Sequence, residues 1–379
     1  MIRYGIDNIK QHEKLFCGKR LGLITSVSGM DSSLRSTISI FQETYGLTAL
    51  FGPEHGVRGD RDAGELVDGY VDEITQLPVY SLYRQDGKRF TEQMLDKVDA
   101  VVYDIQDVGA RFYTFITTML YAMEDCARFG KELIVLDRPN PLGGTMEGNI
   151  LDKDYFSFVG SCEIPVRYGL TAGELAVMLN TERRIGCRLT VVPCTGWKRS
   201  MLFPETNKVW VMPSLGLPRF ETALLYPGMC IFEGTNISEG RGTACPFEII
   251  GAPFIPAQKL TDYMNEQKLP GVLFSPVYFK PTASKHQGVF CKGIHTHITD
   301  IHQYQPVRTG LVLLEAIREM CPEFSFLPAP REGGRRFIEL LGGHDLLEAK
   351  KSVDQMLYEN EEGCARFAGK AEPYYLYSE

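Results

Sequence analysis

Leu47-Thr48-Ala49-Leu50-Phe51 runs without a break into Gly52-Pro53-Glu54-His55-Gly56-Val57-Arg58-Gly59-Asp60. The first five residues have the length and apolar content of a buried strand, and the glycine and proline behind them end it. Four ionisable side chains follow, Glu54, His55, Arg58 and Asp60, with glycines between them. An open α/β sheet presents chemistry in this way, at the carboxyl ends of its strands. A surface turn with solvated charges has the same local spacing. The choice turns on whether other strands deliver polar residues to the same edge.

The flanking sequence supplies such strands. Residues 20–28 predict a strand ending in Thr25, Ser26 and Ser28, and 34–45 an amphipathic helix. Strands are expected at 78–83, 99–105 and 133–136, with helices at 91–97 and 113–129 between them. Ser26, Glu54, Ser81, Asp107 and Asp137 then all fall where an apolar strand gives way to a loop. This alternation defines parallel βαβ units and a doubly wound, Rossmann-like sheet. Thr171 with Glu174 three residues on predicts a capped helix over 171–181, and 188–193 a further strand.

Beyond about residue 200 the character changes: Pro204, Pro213, Pro218 and Pro227 interrupt the chain. Helices are expected at 255–267, 307–320 and 345–358, and strands near 274–279 and 289–298. The fold class is therefore α/β, a Rossmann-like parallel-sheet domain over 1–200 followed by a smaller α+β domain over 201–379 that completes a cleft.

Composition narrows the function. A net charge of -8 and a pI near 5.5, with no basic run, argue against nucleic acid and anionic membranes as partners. Nothing has the length of a signal-peptide core or a membrane span, which predicts a cytoplasmic protein. Ten cysteines include no Cys-x-x-Cys pair, so free thiols in a reducing compartment are expected rather than zinc. No Gly-x-Gly-x-x-Gly, phosphate-binding lysine loop or Gly-x-Ser-x-Gly elbow is present. Neither a nucleotide cofactor nor a serine nucleophile is expected.

Several other residues invite chemistry. Glu233, Asn236, Glu239 and Arg241 are interleaved with Gly234, Gly240 and Gly242, which let a backbone approach a ligand; the alternative is a solvent-exposed linker. Asp104, Gln106, Asp107 and Arg111 form a third group, readable as a structural ion-pair cluster or as a site. Arg138 and Asn140 suit a polar ligand, and Asn140 before Pro141 also suits a helix start. His295, His297 and Asp300 make half a metal site, and two structural histidines are the simpler account. Carboxylates near a cleft without a cofactor motif fit a glycoside hydrolase, which needs one carboxyl to protonate the leaving oxygen and a second as nucleophile or base.

Four stretches carry a resemblance. Phe51-Gly-Pro-Glu-His-Gly-Val-Arg-Gly-Asp60, Asp104-Ile-Gln-Asp-Val-Gly-Ala-Arg-Phe-Tyr113, Leu136-Asp-Arg-Pro-Asn-Pro-Leu-Gly-Gly144 and Phe232-Glu-Gly-Thr-Asn-Ile-Ser-Glu-Gly-Arg-Gly-Thr243 resemble the exo-β-N-acetylmuramidase family, NamZ- or YbbC-like. Pro246 to Pro253, Lys280-Pro-Thr282 and Cys291-Lys-Gly-Ile294 extend the match over about residues 15–310, while the last third departs from it.

The resemblance implies a site between two domains and release of N-acetylmuramic acid from the non-reducing end of peptidoglycan fragments. Glu54 would be the general acid, and Asp107 or Glu233 the second carboxylate. Their separation would distinguish inversion from retention, and assistance by the 2-acetamido group would need only an orienting carboxylate. The lactyl carboxylate of muramic acid calls for an arginine clamp, for which Arg58, Arg111, Arg138 and Arg241 are candidates. His55, Gln106, Tyr113, Asn140 and Asn236 complete the expected binding residues. The expected partner is a MurNAc-containing disaccharide or muropeptide, with no cofactor or metal, and nothing sets an oligomeric state. Absence of an export signal favours cell wall recycling. Two other classes compete: a non-catalytic sugar-binding protein on the same cleft, and a metal-dependent hydrolase using His55, His295 and His297.

Overall fold

The computed structural model describes residues 1–59, 64–66, 69–348 and 351–378, so Asp60 lies outside the described residues. Its larger sheet is built from β1 (Leu21–Thr25), β2 (Leu47–Gly52), β3 (Tyr70–Val71), β4 (Pro78–Ser81), β5 (Ala100–Asp104) and β6 (Glu132–Leu136). A small hairpin, β7 (Met146–Glu147) with β8 (Arg167–Tyr168), precedes the seventh strand, β9 (Arg188–Val192).

The sheet order is β3-β4-β2-β1-β5-β6-β9, and only the edge pair β3–β4 is antiparallel. The chain winds outward from β1 through β2 and β4, then restarts on the other side with β5, β6 and β9. Setting aside β3, this is the order of the doubly wound dinucleotide-binding folds. Every residue of β1 and β5 is buried, as strands covered on both faces must be, which is why they appear in sequence as unbroken apolar runs.

Local signals place the helices. Ser36 caps the helix Thr37–Thr44 through the Ile38 N–H. Thr171 and Glu174 form the expected reciprocal box before Ala172–Glu182. Helix Phe115–Arg128 links β5 to β6 and packs on β6.

The second half carries an antiparallel sheet in the order β10 (Ile249–Ala252), β12 (Cys291–Ile298), β11 (Val272–Phe279). Helices Ala257–Glu266 and Pro306–Met320 lie where the periodicity put them. Two expectations fail here. Pro227 does not break the chain but lies inside helix Phe220–Met229, which is buried from Phe220 through Met229 except at Glu221. Its tertiary packing outweighs the roughly 3 kcal/mol penalty of an interior proline. The helix expected at 345–358 is instead two, His344–Glu348 and Val353–Ala371, because the Ser352 hydroxyl accepts the Gln355 N–H and starts the second. One apolar core unites both halves, from Ile24, Phe51 and Tyr103 to Tyr226, Leu314 and Phe367. Among the described residues no helix is long and apolar enough to cross a membrane.

Candidate active site

Glu54 leaves the end of β2 two residues after Gly52. The chain turns through His55 at φ 72° and Gly56 at φ 72°. A non-glycine residue in that left-handed conformation costs about 1–2 kcal/mol. The turn is closed by the Gly56 N–H on the Pro53 carbonyl at 3.0 Å. Glu54 is buried, and both its carboxylate oxygens accept hydrogen bonds. Thr114 Oγ1 donates to Oε2 at 2.7 Å and the Gly64 N–H to Oε1 at 2.9 Å. The Tyr83 hydroxyl lies beside it, pushed up to about 12 first by burial and then by the charge of Glu54.

The facing wall comes from the second half. After helix 220–229 the chain makes a tight turn over Cys230–Gly234 and continues to Thr243. Glu233 Oε1 pairs with Arg241, at 2.8 Å from Nε and 2.6 Å from Nη2. Arg241 also stands 3.6 Å from Glu239, whose other oxygen is 2.7 Å from Lys285 Nζ without the alignment of a hydrogen bond. Lys285 donates instead to the Phe232 and Thr235 carbonyls, at 2.6 and 3.0 Å. Charges thus alternate along this wall. Gly242, at φ 76°, permits it: a Cβ there would come within 2.4 Å of the Ala283 nitrogen. Burial raises the pKa of Glu233 against the opposing charge of Arg241.

Between these walls lies a cleft of about 770 Å³. Glu54, His55, Tyr83, Tyr113 and Thr114 line it from the first half, and Glu233, Glu239, Arg241 and Lys285 from the second. The 231–243 stretch is therefore one wall of a cleft and not an exposed linker.

Other expected site residues are held elsewhere. Arg58 spends its guanidinium on Asp72, at 3.0 and 2.9 Å, and holds that carboxyl down at about 2. Arg111 is buried and donates to the carbonyls of Asn149, Ile164 and Leu341. Arg138 forks onto Asp104 at 2.6 and 2.9 Å and also reaches the Met30 carbonyl. These three are structural ties, and none of them lines the cleft that Glu54 lines.

Gln106 donates to the Asp107 and Pro139 carbonyls. Asn140 braces the Leu170 carbonyl and the Leu142 N–H, and Asn236 the Glu323 carbonyl and Ser325 N–H. None of them lines the cleft. Asp107 is also absent from the lining. It accepts from Tyr168 and from the Gly109 N–H at 2.7 Å, and burial pushes it up to about 7. It thus does not share the lining of the cleft with Glu54.

His295 and His297 stand on β12 with ring centroids 4.2 Å apart, away from the cleft that His55 lines. The fold does give His295 two further potential ligands the sequence did not reveal. Its ring, Cys245 and Glu248 bring ligand atoms within 4.8 Å of one another. Glu248, however, already accepts Arg219 at 2.6 and 2.7 Å and Thr222 at 2.6 Å. A guanidinium thus fills the place of a cation, and an ion-pair network accounts for the cluster.

A doubly wound sheet that delivers a glutamate into a cleft faced by a pair of glutamates suits acid–base hydrolysis of a polar substrate. Residues 21–221 match the family described as exo-beta-N-acetylmuramidase NamZ, N-terminal, and residues 224–377 its C-terminal counterpart. The chain belongs to this family, and with it to the hydrolases. It is 45% identical over 385 aligned positions to the peptidoglycan beta-N-acetylmuramidase NamZ of Bacillus subtilis (strain 168), covering 99% of this chain and 91% of that protein. A crystal structure of a DUF1343 family protein from Bacteroides fragilis superposes with a TM-score of 0.90 at 37% identity, covering 100% of this chain and 99% of the other. A second DUF1343 protein from the same organism gives 0.78 at 29% identity, again covering 100% and 99%.

Thr114, Tyr83 and Lys285 were not singled out by sequence reasoning, and Glu239 was noticed without a role. Thr114 directly follows the Asp104–Tyr113 motif, the one local signal that pointed to it.

Proposed function

We propose that this protein releases N-acetylmuramic acid from the non-reducing end of peptidoglycan fragments by hydrolysis. Glu54 acts as general acid and Glu233 as the second carboxylate. The observation that carries this reading is that both line one cleft, from walls contributed by the two halves of the chain. A raised pKa makes Glu233 a stronger base, and Arg241 favours its ionised form. Of the four arginines considered for the lactyl carboxylate, Arg241 lines the cleft, which makes it the candidate for that contact. The division into a Rossmann-like catalytic part (1–200) and an α+β part (201–379) closing the cleft belongs to the same proposal. So does a cytoplasmic recycling role, with which ten free thiols are consistent.

The test compares wild type with Glu54→Gln on a chromogenic β-N-acetylmuramide, the matching glucosaminide and the natural disaccharide. Release from the muramide alone, lost on the disaccharide in Glu54→Gln, supports both specificity and role. Equal turnover of both sugars would sink the carboxylate-recognition argument, and full disaccharide activity in Glu54→Gln would sink the assignment of the acid.

A further inference from the structure

The connection between β11 and β12, residues 280–290, folds back onto the wall that carries Glu233. Thr282 holds the Gly242 carbonyl twice, through its N–H at 2.9 Å and its hydroxyl at 2.8 Å. His286 Nε2 donates to the Asn236 carbonyl at 2.7 Å. Lys285 lies between these anchors, flanked by Ser284 at φ 64° and His286 at φ 57°. Non-glycine residues are uncommon in this left-handed region. Such strain persists where the surroundings over-determine it, and it gathers at functional sites. Here it delivers one side chain, Lys285, onto the turn Cys230–Gly234.

The two carbonyls that accept from the Lys285 ammonium, Phe232 and Thr235, stand on either side of Glu233. Thr235 closes the same turn from within, its N–H and hydroxyl both meeting the Phe232 carbonyl, at 3.0 and 2.8 Å. The backbone that carries Glu233 is therefore fixed by a cation from 50 positions further along the chain. That cation also bears on the carboxyl itself. The groups facing Glu233 are Arg241 and Glu239 on its own wall, Tyr226 and Cys230 from the helix and turn before it, and Lys285 from the connection. Burial raises the pKa of Glu233 and Glu239 adds to the rise, while Arg241 and Lys285 act against it.

We propose that Lys285 is a positioning residue for the hydrolysis: it fixes the turn that presents Glu233 to the cleft and sets a positive charge beside that carboxylate. The proposal rests on the reading of Glu233 as the second carboxylate. A lysine suits both tasks, because a compact ammonium offers three donors and a point charge on a flexible stem. Small displacements of a catalytic group carry large losses in rate, and the ionised form is the one that acts as base. Removing the cation favours the protonated form of Glu233, so the acid limb of the rate profile moves to higher pH.

The experiment measures kcat, KM and their pH dependence on the natural disaccharide for wild type, Lys285→Met, Lys285→Arg and Glu233→Gln, below the Tm of each. Lys285→Gln, a neutral donor, takes the place of Lys285→Met if the latter does not fold. Lys285→Met is expected to lose about tenfold or more in kcat with little change in KM, and its acid limb to move to higher pH. Lys285→Arg keeps the charge and should keep the limb near its wild-type position. A lowered Tm and kcat with the limb in place would make Lys285 structural only, and a loss carried by KM alone would make it a substrate contact; either overturns the proposal. Full turnover in Glu233→Gln would remove the carboxylate itself and both readings with it. A dead Glu233→Gln beside unchanged kcat and limb in Lys285→Met would overturn the positioning role alone.

Discussion

Thr114 Oγ1 donates to Glu54 Oε2 at 2.7 Å, so the loop that opens helix 115–128 orients the side chain that β2 delivers. Two separate βα units of the sheet must be in register for Glu54 to point into the cleft. Thr114→Val keeps the shape and removes the donor. It is expected to lower kcat about tenfold with little change in KM, while Thr114→Ser keeps most of the activity. Steady-state rates on the disaccharide check this. A Thr114→Val enzyme with normal kcat would mean that the hydrogen bond does not position the acid.

Glu233 and Arg241 form the second relationship in the cleft. Arg241→Gln leaves a mostly buried carboxylate without its cation and is expected to cost about 1–3 kcal/mol. Adding Glu233→Gln should restore much of that stability, because the uncompensated charge is gone. Activity should not return with it. Urea unfolding and disaccharide turnover on the two single variants and the double variant provide the test, and recovery of turnover in the double variant would remove Glu233 from the mechanism.

The buried carboxyl of Asp107 gives a pH dependence whose sign is fixed. Its ordinary value of 3.8 is raised to about 7 by burial, against the hydrogen bonds from Tyr168 and the Gly109 N–H. Between those values the folded protein holds a proton that the unfolded chain has lost, so unfolding releases protons and stability falls as pH rises. The loss begins near pH 4 and is complete above about 7. Glu147, raised to about 7, and Asp137, raised to about 6, add slope in the same window. Asp107→Asn should therefore flatten, without abolishing, the decline in unfolding free energy between pH 4 and 8. An unchanged slope would show that burial does not hold Asp107 protonated in the folded protein across this window.

The parallel sheet could be read from sequence because each strand is covered on both faces and leaves an unbroken apolar run. Glu54 was legible for a related reason: strand end, turn glycines and carboxylate lie within six residues. The arginines were not. Arg111 donates to the Leu341 carbonyl 230 positions away, and Arg138 is committed to Asp104 across neighbouring strands. A free guanidinium and a committed one look alike until the chain is folded. Glu233 and Glu239 drew attention through their glycines, whereas Lys285 reaches the same wall from a segment with no local pattern. Helix 220–229 was hidden by Pro227, whose local penalty is outweighed by contacts invisible to periodicity.

Those contacts supply the last prediction. Helices 220–229 and 306–320 cross at Gly228 and Gly310, where the two backbones meet directly. A Cβ on Gly228 would lie 1.9 Å from the Pro306 carbonyl oxygen, and one on Gly310 2.3 Å from that of Gly228. Both obstacles are backbone atoms, so neither can be relieved by a rotamer change. Alanine in an ordinary helix is favoured over glycine by about 1 kcal/mol, which gives the substitution the opposite expected sign elsewhere. At this crossing Gly228→Ala and Gly310→Ala should each destabilise by about 1–3 kcal/mol or more, as overpacking does. Helix 220–229 leads directly into the turn that carries Glu233, so each variant should also lose activity before it unfolds. Thermal and urea unfolding, run beside disaccharide turnover at a temperature where the variants remain folded, test both parts. A stabilised Gly310→Ala would show that the two helices do not make this close crossing.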